Sequence, residues 1–379
     1  MRVVIVNLAF DPSLPSPEAL LDAYHSLTGW SEAIRDAGVS VTVVQAYSRD
    51  ALVERHGIDY RFLRLSAPAL LRDDGLRDAV LSARPDLVHV NGLDVPLQTW
   101  WLRRALPAPV ALVVQDHAGI PSKAGSLKAQ VRRRVMSAAD GYLFTTRQGA
   151  KPWVDGGFIR EAGLVHEVLE ASTSLVQAER FPSRERTATT GAPAVLWVGR
   201  LTTNKDPLCV LDGFEQALRE LPDARLSMVF GDTSLLAAVS DRIASSRLLR
   251  TNVRLVGQVP HDEMADWYSA ADLFVLGSHR ESLGYAAIEA CACGAVPVLT
   301  DIPSFRAVTD GGSVGQLWRP GDPAALASAL VRTARVDLGL QRNQVLQHFG
   351  RSLSWSAVGR QAARVYRRVL EVRRGPQLG

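Results

Sequence analysis

Strand-like apolar runs alternate with helix-like amphipathic stretches along the whole chain, and this alternation limits the possible folds more than any other feature. Strands that are separated by helices pair in parallel, and the helices then cover the sheet. The predicted strands are 3–8, 39–44, 87–90, 110–114 and 141–145, followed after a gap by 194–198, 225–230, 253–255, 273–276 and 296–299. The predicted helices are 17–37, 73–83 and 127–139, then 208–221, 235–243, 261–270, 285–293 and about 355–372. The predicted fold class is therefore α/β, with two doubly wound parallel sheets.

The two series of strands predict two domains. A chain of 379 residues is too long for one ordinary hydrophobic core. The segment 179–193 between the two series is polar and rich in turn-forming residues, which is typical of a linker. We therefore expect a first domain at 1–180 and a second at 193–354, followed by a last amphipathic helix within 355–379.

Composition narrows the class of protein. Apolar residues make up 47% of the chain and charged residues 22%, as in soluble globular proteins. The net charge of +4 is too small for the whole surface to attract nucleic acid, so no nucleic-acid partner is expected. No apolar run approaches membrane-spanning length, and the N-terminal strand lacks the layout of a signal peptide. The cysteines Cys209, Cys291 and Cys293 lack the spacing of a zinc site, and we interpret them as small buried residues in a reducing, cytoplasmic compartment.

Two glutamates, Glu281 and Glu289, flank a predicted helix start that follows an apolar strand. Ser282, Leu283 and Gly284 open this helix, whose N-terminus offers unpaired N–H groups and a partial positive charge to a phosphate. Gly284 lets the backbone come close to a ligand. Glu289 can reach a hydroxyl pair such as a ribose, and Glu281 can reach a second polyol. The layout fits a diphosphate flanked by two sugars, although a glutamate near a helix start also serves simply to offset the helix dipole.

A second segment, 195–207, places two cations beside a glycine turn. An apolar strand ends in Gly199, and Arg200 and Lys205 follow before Asp206 and Pro207, which predict the N-cap and first residue of a helix. Arginine can grip two phosphate oxygens at once, and lysine acts as a mobile point charge. The segment is suited to a pyrophosphate, and its alternative interpretation is a solvated strand-to-helix loop.

Together these two segments resemble family 4 of the retaining glycosyltransferases, which have the GT-B fold. The family carries a Gly-Arg-…-Lys segment and, further on, a Glu-x7-Glu segment, as here at 199–205 and 281–289. The resemblance covers most of the chain and extends to the segments 86–92, 253–257, 270–275 and 294–298. It implies two Rossmann-like domains that face a central cleft, with the last helix packed back on the first domain. The first domain would then hold the acceptor and the second domain the donor.

The resemblance also implies a reaction, the retaining transfer of a sugar from a nucleoside diphosphate sugar to an acceptor hydroxyl. Arg200 and Lys205 would stabilise charge on the leaving diphosphate, helped by the backbone N–H groups of Leu283 and Gly284. No Asp-x-Asp motif accompanies this site, so we expect neither a metal ion nor another cofactor. UDP is the default nucleotide because it is the commonest in the family. Rival interpretations are a nucleotide-sugar epimerase of the same fold and a catalytically inactive sugar-binding subunit.

The first half offers one further candidate, His117, after the strand at 110–114. In the family a histidine after this strand contacts the transferred sugar, and Asp116 could orient its ring or bind acceptor hydroxyls. The alternative is a histidine that only caps a strand end. His89 alternates with apolar residues and is predicted to be buried and structural. The segment 7–17 has no glycine where many members have a Gly-Gly loop, so the acceptor stays open between a glycan, a lipid and a small molecule.

A basic stretch at 123–136 has helical spacing. Basic amphipathic helices can rest on an anionic membrane, which would place the protein at the inner face of the cell membrane. A solvated basic helix near an acidic donor explains the same pattern.

Overall fold

The computed structural model describes residues 1–65, 74–117, 119–122 and 126–375, and the chain divides into two compact units. The first unit consists of Met1–Ala171 and Trp355–Gly379, and the second of Ser172–Ser354. The C-terminal segment thus belongs to the first unit. The chain changes unit earlier than the boundary at 180 that we expected from the sequence.

The first unit is built on a sheet that has eight strands among the described residues. They are β1 Arg2–Asn7, β2 Ser40–Tyr47, β3 Ala51–Arg55, β4 Ile58–Arg64, β5 Leu87–Asn91, β6 Ala111–Gln115, β7 Gly141–Phe144 and β8 Val165–Glu167. Their order in the sheet is β3-β4-β2-β1-β5-β6-β7-β8, and only the pair β3–β4 is antiparallel. Valines of β1, β5 and β6 form the centre of the buried core.

Helices cover this sheet. They are α1 Pro17–Ala23, α2 His25–Asp36, α3 Asp74–Ser82, α4 Pro96–Ala105, α5 Leu127–Met136 and α6 Arg147–Asp155. The single helix predicted at 17–37 is wrong, because Tyr24 leaves the helical conformation (φ −96°, ψ 59°) and divides it into α1 and α2. Residue 73, where the next helix was predicted to begin, lies outside the described residues.

The hairpin β3–β4 was not predicted. Its two-residue turn consists of His56 and Gly57, whose φ angles are 52° and 72°. Positive φ at both turn residues is the type I′ geometry, which matches the twist of two antiparallel strands. The residues of β3 alternate between half-buried and exposed, and the apolar Leu52 is among the exposed ones, so the sequence carried no clear alternation of apolar and polar residues that would have predicted this strand.

The second unit has six strands among its residues, all of them parallel, in the order β11-β10-β9-β12-β13-β14. They are β9 Ala194–Val198, β10 Arg225–Val229, β11 Val253–Gly257, β12 Leu273–Leu276, β13 Val296–Thr300 and β14 Gln316–Trp318. The helices are α7 Arg180–Thr187, α8 Pro207–Ala217, α9 Leu236–Ala244, α10 Arg247–Asn252, α11 Met264–Ala270, α12 Tyr285–Ala292, α13 Pro303–Val308, α14 Pro323–Ala334 and α15 Leu338–His348.

The predicted linker at 179–193 is wrong over much of its length, because it contains α7. The polar residues of this helix bind the second unit. Ser183 donates to Asp266 on α11 (2.8 Å), and Arg184 donates to the buried Asp272 (2.8 Å). The polar, turn-rich composition of this segment predicted a linker. The prediction failed because the polar side chains bind carboxylates of residues that lie more than 80 positions later in the sequence.

The last helix, α16 Trp355–Arg374, packs on α2 inside the first unit. Its Gly359 lies so close to α2 that an added Cβ would overlap the carbonyl oxygen of Ala33. The hydroxyl of Tyr366 on α16 accepts from Trp30 Nε1 (3.2 Å) and lies 2.7 Å from His89 Nδ1. His89 is 1% exposed, which confirms that it is buried.

In each sheet the strand order reverses direction once, between β1 and β5 in the first unit and between β9 and β12 in the second. Loops that leave the carboxyl ends of the two strands at such a point diverge and open a crevice, which is where ligands bind in doubly wound folds. The three loops that carry the candidate residues follow β6, β9 and β12, so they lie at or beside these points.

Candidate active site

The loop after β9 leads into α8, as the sequence predicted. Asp206 is the N-cap in the left-handed conformation (φ 45°), and its carboxylate accepts from the backbone N–H of Cys209 (3.3 Å). Pro207 is the first helical residue. The carboxylate and the proline fix the residue at which the helix begins. Because β9 ends at Val198 and α8 begins at Pro207, Gly199 and Arg200 lie in the loop between them.

The loop after β12 is fastened to the loop after β9. The backbone N–H of His279 donates to Asn204 O (2.8 Å), and the Asn204 side chain donates to Arg280 O (2.9 Å). His279 Nε2 also lies 2.9 Å from an Asp206 carboxylate oxygen. A Cβ at Gly277 would come within 3.1 Å of the Asp206 carbonyl, so glycine allows this close approach.

Two of the predicted residues meet directly. The ammonium of Lys205 donates to the carboxylate of Glu281, and each side chain is only 14% exposed. Arg200 is exposed, and its charge contributes to lowering the pKa of Asp232, after the hydrogen bonds from Ser234. The two cations of this loop therefore differ: Lys205 is neutralised by a carboxylate, whereas Arg200 faces solvent.

The helix α12 begins at this site. Gly284 is its N-cap with φ 85°, and a Cβ there would come within 2.5 Å of the Phe305 ring. Both the backbone angle and the contact require glycine. Leu283 is fully buried and Ser282 half-buried, so the side chain of Leu283 anchors the turn. The N-terminus of α12 supplies partial positive charge at this edge of the sheet.

Glu289 lies one turn further along α12 and is held by two side chains that the sequence did not single out. One carboxylate oxygen accepts from the Tyr268 hydroxyl (2.8 Å), and the other lies 3.1 Å from His261 Nε2. Burial and the neighbouring Glu289 charge raise the pKa of Tyr268 well above its usual value, so the hydroxyl remains a donor. Tyr268 and His261 come from the segment 261–270, whose sequence carries no recognisable motif.

In the first unit, His117 follows β6 and is held from both sides. Its Nδ1 lies 2.7 Å from a carboxylate oxygen of Glu170, and its Nε2 contacts the side-chain oxygen of Asn91 at the end of β5. Asp116 accepts from the backbone N–H of Gly119 (2.9 Å) and so shapes the turn that follows β6. Glu170 and Asn91 were not predicted, because they are distant from His117 in the sequence and carry no motif of their own.

His117 and Asp116 line an open cavity of about 430 Å³ at the switch point of the first sheet. Other polar residues of its wall are Asn7, Tyr24, Ser26, Asn91 and Asp94. A wall of amides, carboxylates and hydroxyls can both donate to and accept from a polyhydroxyl ligand.

The basic stretch forms α5, and two of its arginines stack on aromatic rings of the same unit. The guanidinium of Arg132 stacks over Trp153 (4.7 Å) and that of Arg133 over Phe158 (5.3 Å), while Leu127 is 76% exposed. Residues 123–125 and the side chain of Lys128 lie outside the described part of the chain.

Further features of the described residues concern metals, membranes and thiols. Within this part of the chain, no three His, Cys, Asp or Glu side chains gather as metal ligands would. None of the helices in it combines the length and the apolar character needed to cross a bilayer. The three cysteines are unpaired and buried, which confirms their interpretation as small buried residues.

Two family profiles match the chain, and together they extend over well more than half of it. The profile described as "Glycosyl transferases group 1" matches residues 192–335, and "Glycosyl transferase 4-like domain" matches residues 25–165. The first match contains the loops after β9 and β12, and the second contains His117.

Relatives bear related names. A D-inositol 3-phosphate glycosyltransferase of Thermobispora bispora is 31% identical over 198 residues, which are 48% of this chain and 44% of the relative. D-inositol 3-phosphate glycosyltransferase 1 of Catenulispora acidiphila is 29% identical over 329 residues, 81% of this chain and 76% of the relative. The match thus spans less than half of the first relative's length.

Solved structures show the same fold. HepE of Anabaena in complex with UDP and glucose has a TM-score of 0.68 at 17% identity, covering 96% of this chain and 99% of that chain. Sucrose-phosphate synthase of Thermosynechococcus elongatus has a TM-score of 0.64 at 20% identity, covering 97% and 98%.

Proposed function

We propose that this chain, which belongs to the family 4 glycosyltransferases with the GT-B fold, moves a sugar from a nucleoside diphosphate sugar to an acceptor hydroxyl and retains the anomeric configuration. The observation that carries the proposal is the grouping of Arg200, Lys205, Glu281 and the start of α12 in two fastened loops at the switch point of the second sheet.

The diphosphate is assigned to the cations and the helix N-terminus. Arg200 and Lys205 neutralise the charge that builds on the leaving group, and the N–H groups near Leu283 and Gly284 add to this stabilisation. Such preorganised groups can do the work of a metal ion, so turnover is expected to survive chelation by EDTA. Loss of turnover in EDTA that Mg²⁺ or Mn²⁺ restores would contradict this part of the proposal.

The sugars of the donor are assigned to the two glutamates. Glu289, which Tyr268 orients, would bind the ribose hydroxyls, and Glu281 would bind hydroxyls of the transferred sugar once Lys205 turns to the phosphate. UDP is the proposed nucleotide, which agrees with the UDP complexes of HepE among the solved structures. In the cavity of the first unit, His117 and Asp116 are assigned to hydroxyls of the transferred sugar and of the acceptor. The acceptor is a hydroxyl of a glycan, a lipid or a small molecule.

The experiment is a transfer and hydrolysis assay of the full chain with a panel of nucleotide sugars, in which Arg200→Ala and Lys205→Ala are compared with the unmodified protein. Loss of a charge stabiliser should lower kcat/KM on the order of 10²-fold or more. Near-normal turnover of either variant would remove that residue from the mechanism. Interconversion of the donor sugar without transfer would indicate an epimerase, and binding without turnover an inactive sugar-binding subunit.

Peripheral contact of the basic stretch 123–136 with an anionic membrane is proposed as a second element of this function. The exposed Leu127 and Val131 lie one turn apart on α5, beside the exposed Arg134. Apolar and basic side chains on one exposed helix suit an anionic lipid surface. Cosedimentation with vesicles that contain anionic lipid should exceed that with neutral vesicles, and Leu127→Glu should abolish the difference. Equal binding to both vesicles would leave α5 as a solvated helix at a cytoplasmic enzyme.

A further inference from the structure

Glu170 is a buried carboxylate that is only partly hydrogen-bonded by the described residues around it. It follows β8, and its side chain is only 4% exposed. One oxygen lies 2.7 Å from His117 Nδ1, and the other has no hydrogen-bond partner among the described residues. A buried carboxylate that lacks part of its hydrogen bonding is destabilising, so its presence calls for a role other than stability.

The other described residues that line a cavity beside Glu170 do not supply a compensating charge. The polar and aromatic residues that line this small cavity with Glu170 are Ser26, Trp30, His89, Asn91, Gln115 and His117. Burial lowers the pKa of His89 to about 3, with a contribution from the charge of His117, so His89 is neutral near pH 7. Among the cavity-lining residues that the structure describes, His117 is therefore the group that meets the Glu170 carboxylate with a donated proton.

We propose that Glu170 is a positioning residue for His117: its carboxylate holds the Nδ1 proton, fixes the ring orientation and directs Nε2 toward the substrates. The inference rests on the proposed function of His117. A carboxylate that accepts from Nδ1–H selects that tautomer and leaves Nε2 as the working nitrogen.

The partner on the other side of the ring can adapt to this arrangement, although its oxygen now faces Nε2. Nε2 contacts Asn91, and both side chains line the cavity of about 430 Å³. An amide offers either NH₂ or C=O after a half-turn, so Asn91 can meet a neutral Nε2 that accepts or an imidazolium that donates. A substrate hydroxyl that enters the cavity can take the place of Asn91 without disturbing the Nδ1–Glu170 bond.

The test compares Glu170→Gln with the matched control Glu167→Gln in the full-length protein. The glutamine side chain keeps the size and an oxygen for Nδ1 but loses the charge, whereas Glu167 lies on the strand that precedes Glu170, with its side chain 49% exposed. We expect Glu170→Gln to lower kcat on the order of tenfold while the Kd for UDP stays unchanged. The melting temperature should not fall, because an incompletely bonded buried charge has been removed. Glu167→Gln should retain full activity.

Two further measurements separate positioning from a structural role. The double variant His117→Ala/Glu170→Gln should be no slower than His117→Ala alone, because Glu170 acts through the ring. NMR of the His117 side chain should show the proton on Nδ1 in the unmodified protein and a shift toward the Nε2–H tautomer in Glu170→Ala. Additive losses, an unchanged tautomer or a lowered melting temperature that matches the loss of activity would overturn the proposal. The NMR reading does not depend on turnover, so a protein that transfers no sugar would contradict the proposed function without deciding this one.

Discussion

Lys205 and Glu281 are 76 residues apart in the sequence and form an ion pair in which each side chain is 14% exposed. The pair joins the loop after β9 to the loop after β12. In it, Glu281 already binds the ammonium of Lys205, the cation proposed to bind the diphosphate. On that proposal, an entering phosphate would compete with Glu281 for Lys205. On the proposed assignments, release of Glu281 would free its carboxylate for sugar hydroxyls, and one rearrangement would couple phosphate binding to sugar binding.

The first prediction concerns stability. Lys205→Met and Glu281→Gln should each destabilise the protein, because each leaves a largely buried group without its partner. The double variant should be more stable than the sum of the single effects predicts, with a coupling of about 1–2 kcal/mol in chemical denaturation. The exposed pair Arg335–Glu220, also in the second unit, provides the control and should show a much weaker coupling. Additive single effects at Lys205 and Glu281 would mean that the ion pair is not formed in solution.

The second prediction concerns affinity for UDP, measured by calorimetry. Glu289→Gln and Tyr268→Phe should both weaken binding, the first by about tenfold or more, because a hydrogen bond to a charged group is lost. Glu281→Gln should leave UDP binding unchanged or tighter, since the neutral glutamine side chain no longer competes as an anion for Lys205. Equal weakening by Glu281→Gln and Glu289→Gln would make the separate assignments of sugar and ribose wrong.

The third prediction uses a matched pair of glycines. Gly284 and Gly257 have nearly the same φ, 85° and 86°, but only Gly284 has a neighbour that an added Cβ would strike, the Phe305 ring. Alanine at either position strains the backbone by about 1–2 kcal/mol. Only Gly284→Ala should also displace the start of α12, and it should weaken UDP binding by about tenfold. If Gly257→Ala weakened UDP binding as much, the effect would reflect general destabilisation.

A site residue could be predicted from the sequence where the signals that identify it lie in its own segment, and not where they depend on a contact with a distant segment. Arg200, Lys205 and the two glutamates stand in short segments with strand and helix signals on both sides, so the two loops and the start of α12 could be located before the structure was known. The direct pairing of Lys205 with Glu281 could not, because a motif does not state which side chains meet across two loops.

The supporting residues were missed for a related reason. Tyr268 and Glu170 each contact a predicted residue, Glu289 or His117, from an element elsewhere in the chain. Their own segments show only the apolar pattern of a buried helix or strand end, which carries no information about a partner on another element. The same holds for α7. Its polar sequence is typical of a linker, and only the structure shows that Ser183 donates to Asp266 on another element.

The last prediction concerns the acid stability of the first unit. His89 is 1% exposed on β5, and burial lowers its pKa to about 3. In the unfolded chain the pKa is about 6.5. Between these values the unfolded chain binds a proton that the native protein does not, so the free energy of unfolding falls as the pH falls, by at most about 1.4 kcal/mol per pH unit. Above a pH of about 6.5 both states are neutral at this site and the contribution is constant.

Replacing His89 with asparagine isolates this effect. Asparagine does not titrate, and it keeps a polar atom near the Tyr366 hydroxyl, which lies 2.7 Å from His89 Nδ1. At pH 7 and pH 8 the difference in unfolding free energy between the two proteins should be the same, since neither site is charged. From about pH 6.5 down to about pH 4 the unmodified protein should lose stability more steeply than His89→Asn, as chemical denaturation at each pH would measure. Parallel curves over that range would mean that His89 takes up its proton in the native state, and that its burial beneath α16 does not keep it neutral.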